Sequence, residues 1–347
     1  MKKRMITFML IVTMLVSGCG AKQESDNGVD QSSETVRNET EIVFETERVT
    51  ETEIETEPEG ELETEIQPEP EIESESEQAP ESQMQVTPPA PIEMESWASG
   101  YYVYDPHNTR GLSNEKMGYS YGVAPNEQRP ADSVNAQRYF DSLGFVDALS
   151  IDLKSTEKVL YLTFSCGYEY NNNTMKILDT LKEKGVTAAF FGELGYFKKN
   201  PHLTKRFVEE GHILGNHTAT HPDFPTLSRD EMASQIYRVD QFLKENYGYE
   251  CRYFRFPSGY YSENSLELAT SVGHRCVFWS VAYRDWNRNE QQGADYSFDT
   301  VTSRLHPGAV IVLHAVSNDN TEALGAIIDY AHEKGYTFKS LDEYPWE

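Results

Sequence analysis

Three things are scarce in this sequence, and each scarcity excludes a class of protein. Positive charge is outnumbered, with 30 Lys and Arg against 57 Asp and Glu and no basic stripe, which argues against a nucleic-acid partner. The apolar run Met5–Val16 has only twelve residues, too few to span a bilayer comfortably. Aromatic residues are few between positions 21 and 95, so this segment cannot bury enough surface to offset the entropy of ordering.

The start of the chain is typical of an exported protein. The basic residues Lys2-Lys3-Arg4 precede the apolar run, which fits the h-region of an export signal. Val16-Ser17-Gly18-Cys19 resembles the lipobox of bacterial lipoproteins, in which the cysteine receives a lipid. We therefore expect a signal peptide over residues 1–19 and a lipid on Cys19 that holds the protein on the outer face of the cytoplasmic membrane, within the cell wall. The alternative is an ordinary signal peptide that happens to contain a cysteine.

Acidic residues dominate the next segment. Residues 21–95 contain 24 acidic and 3 basic residues, a net charge of −21 out of −27 for the whole chain. Such a segment repels itself and extends. We predict a disordered linker rich in Glu, Thr and Pro over residues 20–99. It would act either as a stalk that lifts a domain off the membrane or as an acidic spacer that keeps the protein soluble.

The remaining residues, 100–347, are enough for one domain with a sizeable core. Strand-like and helix-like patterns alternate in this segment, and helix-stopping glycines and a capping box mark several boundaries. This order predicts an α/β fold, a distorted (β/α) barrel with about seven parallel strands. The predicted strands are 159–164, 187–191, 212–215, 253–256, 276–281, 309–313 and 336–338.

Reactive groups of such barrels collect where the strands end. Several polar residues follow the predicted strands, so we expect them to converge on one rim. They are Ser165, Cys166, His217, His221, Arg255, Asp285, Trp286 and His314.

The pair His217 and His221 is the strongest chemical signal on this rim. Histidines four apart can face one way across a helical turn and bind one metal ion, and imidazole suits zinc. A catalytic zinc site would need one more protein ligand and an open position. His314 is placed to protonate a leaving nitrogen. Asp285 would either orient His314 or hold Arg255, although Arg255 and Asp285 would also suit a purely structural ion pair.

Five motifs in order make the chain resemble the polysaccharide deacetylases of carbohydrate esterase family 4, which share the NodB-homology domain. Their sequences are Thr163-Phe-Ser-Cys-Gly167, His217-Thr-Ala-Thr-His221, Arg255-Phe-Pro-Ser-Gly259, Asp285-Trp286 and Val312-Leu-His314. The likeness runs from about Met117 to the C-terminus. Gly167-Tyr168-Glu169, Phe278-Trp-Ser-Val-Ala282 and His306-Pro-Gly308 are similar to the subgroup of delta-lactam-forming, muramic acid de-N-acetylases.

The resemblance implies removal of acetyl groups from N-acetyl sugars of peptidoglycan or a related polysaccharide. It assigns a divalent metal ion, expected to be zinc, to His217 and His221, and the role of catalytic acid to His314. Arg255 and Asp285 would support the site. Trp286 and Tyr260 would line the substrate groove.

Two positions depart from the family pattern. Ser165 stands where the family has its general base, an aspartate, and Cys166 stands where the family has a second aspartate, usually the third metal ligand. Three interpretations stay open. Cys166 completes a His₂Cys zinc site in a working enzyme; Glu169 or another loop carboxylate replaces the base; or catalysis is impaired and the domain binds cell-wall glycan.

Two further cysteines, Cys251 and Cys276, begin neighbouring predicted strands. Outside the cell they would either form a disulfide or remain as two buried thiols.

Overall fold

The computed structural model of the protein describes residues 103–346. The predicted signal peptide, the lipid attachment site Cys19 and the predicted linker over residues 20–99 lie outside the described residues. Within residues 103–346 no helix is both long enough and apolar enough to cross a membrane.

Ten strands and eight α-helices form between residues 103 and 346. The strands are β1 (Met117–Gly118), β2 (Ala148–Leu149), β3 (Val159–Cys166), β4 (Ala189–Gly192), β5 (Ile213–Asn216), β6 (Tyr253–Phe254), β7 (Tyr260–Tyr261), β8 (Arg275–Val277), β9 (Ala309–His314) and β10 (Thr337–Phe338). The helices are α1 (Ala131–Ser142), α2 (Asn173–Lys184), α3 (Leu194–Lys199), α4 (Pro201–Glu209), α5 (Arg229–Tyr247), α6 (Glu263–Ser271), α7 (Ala294–Thr302) and α8 (Asn318–Glu333).

The main sheet is parallel throughout and runs in the order β10-β3-β4-β5-β6-β8-β2, with β9 also paired to β3. All seven predicted strands are present in it, and the fold prediction is confirmed. The sheet curls because the chain beyond β8 meets β9 through a parallel bridge between Val281 and Ile311. Three short elements were not predicted: β2, at the sheet edge, and β1 and β7, which form a separate antiparallel ribbon. Their two-residue lengths leave no periodic pattern to detect.

Alternation along β3 divides the core into two layers. Val159 and Tyr161 face the inside of the curled sheet with residues such as Phe191 and Val310. The even-numbered residues Leu160, Leu162, Phe164 and Cys166 pack on the opposite side. That outer layer includes Ile177, Leu178 and Leu181 of α2 and Leu324, Ile327 and Ile328 of α8. Successive strand residues point to opposite faces, and here both faces are covered, so β3 is buried along its whole length.

Helix ends follow the sequence signals closely. The Ser228–Glu231 capping box is formed at the start of α5, where the Ser228 side chain accepts a hydrogen bond from the Glu231 amide. Gly185 closes α2 in the left-handed conformation, with φ of 66°. The sequence pattern of the last long helix predicts a helix from Glu322 to Lys334. The helix α8 begins earlier, at Asn318, because the Ser317 hydroxyl caps it by accepting a hydrogen bond from the Asn320 amide.

Candidate functional site

The carboxyl ends of the parallel strands bring the predicted residues together on one rim. Ser165 lies directly opposite His314 in the register of β3 and β9. The Arg255 guanidinium donates to Oγ of Ser165 at 3.3 Å. The carbonyl oxygen of Arg255 lies 2.9 Å from Nδ1 of His217. These contacts link residues up to 149 positions apart in the sequence (314 − 165), as expected for strand ends that meet at one edge.

The two histidine rings lie side by side, with centroids 4.9 Å apart and planes at 79°. They do so in a loop, however, and not across a helical turn as the spacing predicts. His221 precedes Pro222, and a residue before proline is disfavoured in the α-helical region. His221 has φ of 52° and Thr218 has φ of 70°, the left-handed region that a β-branched residue rarely occupies.

Side-chain hydrogen bonds hold this strained loop. Oδ1 of Asn216 accepts from the Thr218 amide at 2.8 Å, and Oγ1 of Thr218 accepts from the His221 amide at 2.9 Å. Asn216, the last residue of β5, was not among the predicted site residues. Its position immediately before His217 was the one sequence signal for its role.

Both histidines are suited to bind a metal as neutral ligands. Burial lowers the pKa of His217 well below its usual value, and the neighbouring His221 lowers it further. Desolvation also lowers the pKa of His221, although that residue is exposed at the surface. Because Nδ1 of His217 faces the Arg255 carbonyl, it carries the proton, and Nε2 keeps a free lone pair. The donor set therefore fits a late first-row divalent ion.

His314 and Asp285 form a tight pair at the end of β9. Nδ1 of His314 lies 2.6 Å from Oδ1 of Asp285, and the His314 amide donates to Oδ2 of Asp285 at 2.8 Å. Asn320 of α8 also donates to Oδ2, at 2.5 Å. Asp285 thus orients His314. The sequence left two partners possible for Asp285, and in the structure it is hydrogen-bonded to His314 and not to Arg255. The Trp286 ring stands 5.6 Å from the His314 ring and is 45% exposed, as a groove wall would be.

Arg255 is fully buried without a carboxylate partner among the described residues. Its guanidinium donates to Oγ1 of Thr163 at 2.7 Å, to Oγ of Ser165 and to the Val277 carbonyl at 3.2 Å. The Phe191 ring lies 4.1 Å from its central carbon. Burial lowers the pKa of Arg255 to about 9. The predicted Arg255–Asp285 supporting pair is therefore not formed, since Asp285 is held by His314 and Asn320.

Cys166 lies on the helix-facing side of β3, opposite to the side that carries Ser165. It is 0% exposed and packs with the outer core layer, and burial raises the pKa of its thiol. The strand period of two separates these adjacent side chains. The role of Cys166 as third metal ligand stays a prediction.

Two carboxylates lie near the end of β3. Glu169 accepts from the Thr174 amide at 3.2 Å and from the Tyr196 hydroxyl at 3.3 Å, so it helps to begin α2. Glu193, which was not predicted from the sequence as a site residue, follows β4, and a Cβ atom at Gly167 would lie 2.9 Å from its Oε1. Desolvation raises the pKa of Glu193. Glu169 stays the substitute base predicted from the sequence, and Glu193 is another loop carboxylate near the end of β3.

Two remaining predictions concern Tyr260 as a groove residue and a disulfide between Cys251 and Cys276. Tyr260 lies in β7, where the Lys116 ammonium sits 3.9 Å over its ring, so its role in the substrate groove stays a prediction. Cys251 and Cys276 are free buried thiols, as is Cys166, and the disulfide alternative is not realised.

Comparisons with known proteins find relatives in both sequence and structure. The family model described as polysaccharide deacetylase matches residues 152–277. The peptidoglycan-N-acetylmuramic acid deacetylase PdaA of Bacillus subtilis is 39% identical over 238 residues, which are 68% of this chain and 88% of that protein. Its solved structure, described as a family 4 carbohydrate esterase, gives a TM-score of 0.63 at 38% identity and covers 67% of this chain and 98% of that one.

A second solved structure is similar at lower identity. It is a family 4 pseudoenzyme from Bacillus anthracis, 28% identical with a TM-score of 0.53, and the match covers 57% of this chain and 68% of that one. A mutant of that pseudoenzyme is described as having restored enzymatic activity.

Proposed function

We propose, because this chain belongs to the polysaccharide deacetylase family of carbohydrate esterase family 4, that it hydrolyses the N-acetyl group of sugars in peptidoglycan or a related polysaccharide. The reaction would take place at the cell surface, where lipid on Cys19 would hold the protein on the membrane. The observation that carries the proposal is the joint presence on one rim of the His217–His221 pair and the hydrogen-bonded His314–Asp285 pair.

The residues divide the chemistry between them. His217 and His221 would hold the divalent ion, with Cys166 as the predicted third ligand, and zinc is the ion that this donor set favours. A bound divalent ion would supply Lewis acidity, which polarises the acetyl carbonyl. His314, oriented through Nδ1 by Asp285, would present Nε2 to the leaving sugar nitrogen and deliver a proton to it. Trp286 and Tyr260 would line the groove that binds the sugar.

Removal of a proton from the attacking water is the weak step. The Ser165 hydroxyl cannot accept a proton at neutral pH, and it accepts a hydrogen bond from the buried Arg255 guanidinium. A positioned base contributes about 10²–10⁴-fold to the rate, so we expect slow turnover unless Glu169 or another loop carboxylate takes its place.

A second candidate function is glycan binding without catalysis. The observation that favours it is the pairing of Ser165 with a guanidinium that has no carboxylate partner among residues 103–346. In this alternative the groove beside Trp286 would retain an N-acetylated glycan while the rim does no chemistry.

Turnover by the Ser165→Asp variant tests the two candidates. The purified full chain is supplied with Zn²⁺, and acetate release from peptidoglycan is measured. We expect slow release by the wild type and a gain of about 10²–10⁴-fold in Ser165→Asp, because the new carboxylate is both a base and a partner for Arg255. The control is Ser303→Asp, which places the same charge at an exposed position after α7.

Three outcomes separate the candidates. An inert wild type with an active Ser165→Asp variant establishes an impaired deacetylase. Acetate release by the wild type that disappears in Glu169→Gln assigns the base to Glu169. Inert wild type and inert Ser165→Asp protein, both still retained by peptidoglycan in a pull-down, would favour the binding module.

A further inference from the structure

A second group of metal-binding side chains lies away from the catalytic rim. Asp240 of α5, Cys251 just before β6 and His274 just before β8 each offer one ligand atom, and these atoms all lie within 4.8 Å of one another. Oδ2 of Asp240 is 3.2 Å from Nε2 of His274. The three residues are 0%, 5% and 3% exposed, respectively. None of them was singled out as a metal ligand from the sequence, since 34 residues separate the first from the last.

The hydrogen bonding of this group is incomplete. Nε2 of His274 lies 3.3 Å from Oδ1 and 3.2 Å from Oδ2 of Asp240, whereas Nδ1 of His274 is buried with no hydrogen-bond partner among the described residues. The Cys251 thiol donates towards the carbonyl oxygens of Leu214 at 3.3 Å and of Tyr253 at 3.5 Å, and it also lies beside the Asp240 carboxylate. Buried polar groups are normally satisfied, so an unpartnered imidazole nitrogen in a group whose three ligand atoms converge within 4.8 Å favours a missing ligand.

The chemistry of the three side chains matches a divalent cation. A thiolate and a carboxylate together balance a 2+ charge, and neutral imidazole adds a third donor without adding charge. Sulfur, nitrogen and oxygen donors together are typical of zinc. A tetrahedral zinc ion at about 2.0–2.3 Å from its ligands separates the ligand atoms by roughly 3.3–3.8 Å. The distance between Oδ2 of Asp240 and Nε2 of His274 is close to this value. The Cys251 sulfur lies within 4.8 Å of both other ligand atoms, so a small movement of its side chain would bring it to bonding distance of the ion.

We propose that Asp240, Cys251 and His274 bind a structural zinc ion that is separate from the metal expected at His217 and His221. Burial of all three ligands leaves no open position for substrate, which is the mark of a structural and not a catalytic site. The Leu214 carbonyl, next to the Cys251 sulfur, places an oxygen donor close to the fourth position.

This site is joined to the histidine loop through one residue. Nδ2 of Asn216 donates to Oδ1 of Asp240 at 2.8 Å, while Oδ1 of the same amide accepts from the Thr218 amide. An ion on Asp240 would fix the carboxylate that orients Asn216, and Asn216 in turn holds the strained loop that carries His217 and His221. The structural zinc ion would therefore stabilise the histidine loop indirectly, through the hydrogen bonds that Asn216 makes with Asp240 and with the Thr218 amide.

Cobalt substitution in the full chain tests the assignment, because a thiolate bound to Co²⁺ gives a charge-transfer absorption in the near ultraviolet that nitrogen and oxygen ligands do not. The wild type and the double variant His217→Ala/His221→Ala should both show this absorption, with about one Co²⁺ per chain retained by the double variant. In the His217→Ala/His221→Ala background, where the rim metal that Cys166 is predicted to bind is absent, Cys251→Ala should lose it. Cys276→Ala is the matched control, since Cys276 is an equally buried thiol outside the group, and it should keep the absorption.

The Cys166→Ala variant separates this proposal from the proposed function. If Cys166→Ala abolishes the absorption and Cys251→Ala keeps it, the thiolate ligand belongs to the histidine pair and the structural site is wrong. No thiolate absorption in the wild type overturns it as well. Acetate release decides the proposed function independently of either result.

Two conservative variants distinguish loss of the ion from loss of the fold. Cys251→Ser and His274→Gln retain polar side chains of similar size, and each should lose the bound ion from the His217→Ala/His221→Ala background while its far-ultraviolet circular dichroism stays native. Retention of about one ion per chain in both variants would contradict the proposal.

Discussion

At the scale of single residues, one substitution changes the electrostatics of the rim. Arg255 is held in the interior by two hydroxyls, a carbonyl and an aromatic ring, and no carboxylate in the described part of the chain balances its charge. A buried charge without a partner is costly, which is why burial lowers its pKa to about 9. Ser165 thus bears on two properties at once, the missing base and the unbalanced guanidinium.

The Asp285→Asn variant tests whether Asp285 acts through His314. The side-chain amide of the variant has one acceptor oxygen in place of two, so it cannot accept hydrogen bonds from both Nδ1 of His314 and the Asn320 side chain on separate oxygens. His314 therefore loses its fixed orientation. We expect kcat for acetate release to fall by about 10²-fold or more with little change in KM, measured in the Ser165→Asp background where turnover is greatest.

Asp319→Asn is the control for this measurement. Asp319 is also a buried carboxylate, but it accepts from the amides of Gln292 and Gly293 and does not contact His314. A fall in KM alone, or an equal loss of kcat in both variants, would contradict a positioning role for Asp285.

At the scale of elements, close contacts between strands and helices place the histidine loop. Gly215 of β5 faces the Phe191 ring of β4, and an added Cβ would lie 2.4 Å from that ring. Gly215 comes two residues before His217, and the His217 amide donates to the Gly192 carbonyl at 3.1 Å. Any displacement of β5 from β4 is therefore passed to His217 and to the loop that follows it.

Gly215→Ala should displace this strand pair. Overpacking of a dense core costs about 1–3 kcal/mol, so we expect the free energy of unfolding to fall by that amount in urea denaturation. Gly325→Ala is the matched control, because its Cβ in α8 would find only ordinary contacts at 3.7 Å, and alanine favours the helix by up to about 1 kcal/mol. Equal stability of the two variants would show that β4 and β5 can separate without strain.

At the scale of the whole domain, buried neutral histidines make folding sensitive to acid. Burial lowers the pKa of both His212 and His306 to about 4. Nδ1 of His212 accepts from the Ala188 amide, and Nε2 of His306 lies 3.0 Å from Oγ of Ser280. The unfolded chain, with ordinary histidine pKa values near 6.5, binds protons at a higher pH than the folded domain does.

Stability should therefore be fully present above pH 6.5 and should fall as the pH drops towards 4. In this window the unfolded state carries more protons, so lowering the pH favours it by about 2 kcal/mol per histidine between pH 7 and pH 5. Urea unfolding of the wild type and of His306→Gln at both pH values checks this. The variant should be less stable at pH 7 but should lose less stability on acidification; an identical pH dependence would exclude His306 as a contributor.

Several features of the domain could be predicted from the sequence because they depend on neighbours along the chain. The seven strands appear as apolar runs, the caps at Ser228 and Gly185 as local patterns, and the rim from the rule that parallel strands end at one edge. The five ordered motifs identified the family for the same reason, since each is a short contiguous segment.

The tertiary structure decided what depends on contacts between distant segments. Spacing could not say whether Asp285 pairs with His314 or with Arg255, nor that Pro222 and Thr218 place the histidines in a strained loop. It also could not bring Asp240, Cys251 and His274 together, because they meet only after α5, β6 and β8 have packed. Local pattern fixes which residues form a strand or helix, whereas the choice of partner for a buried polar group is made by the closing of the sheet, which sets which atoms come within bonding distance.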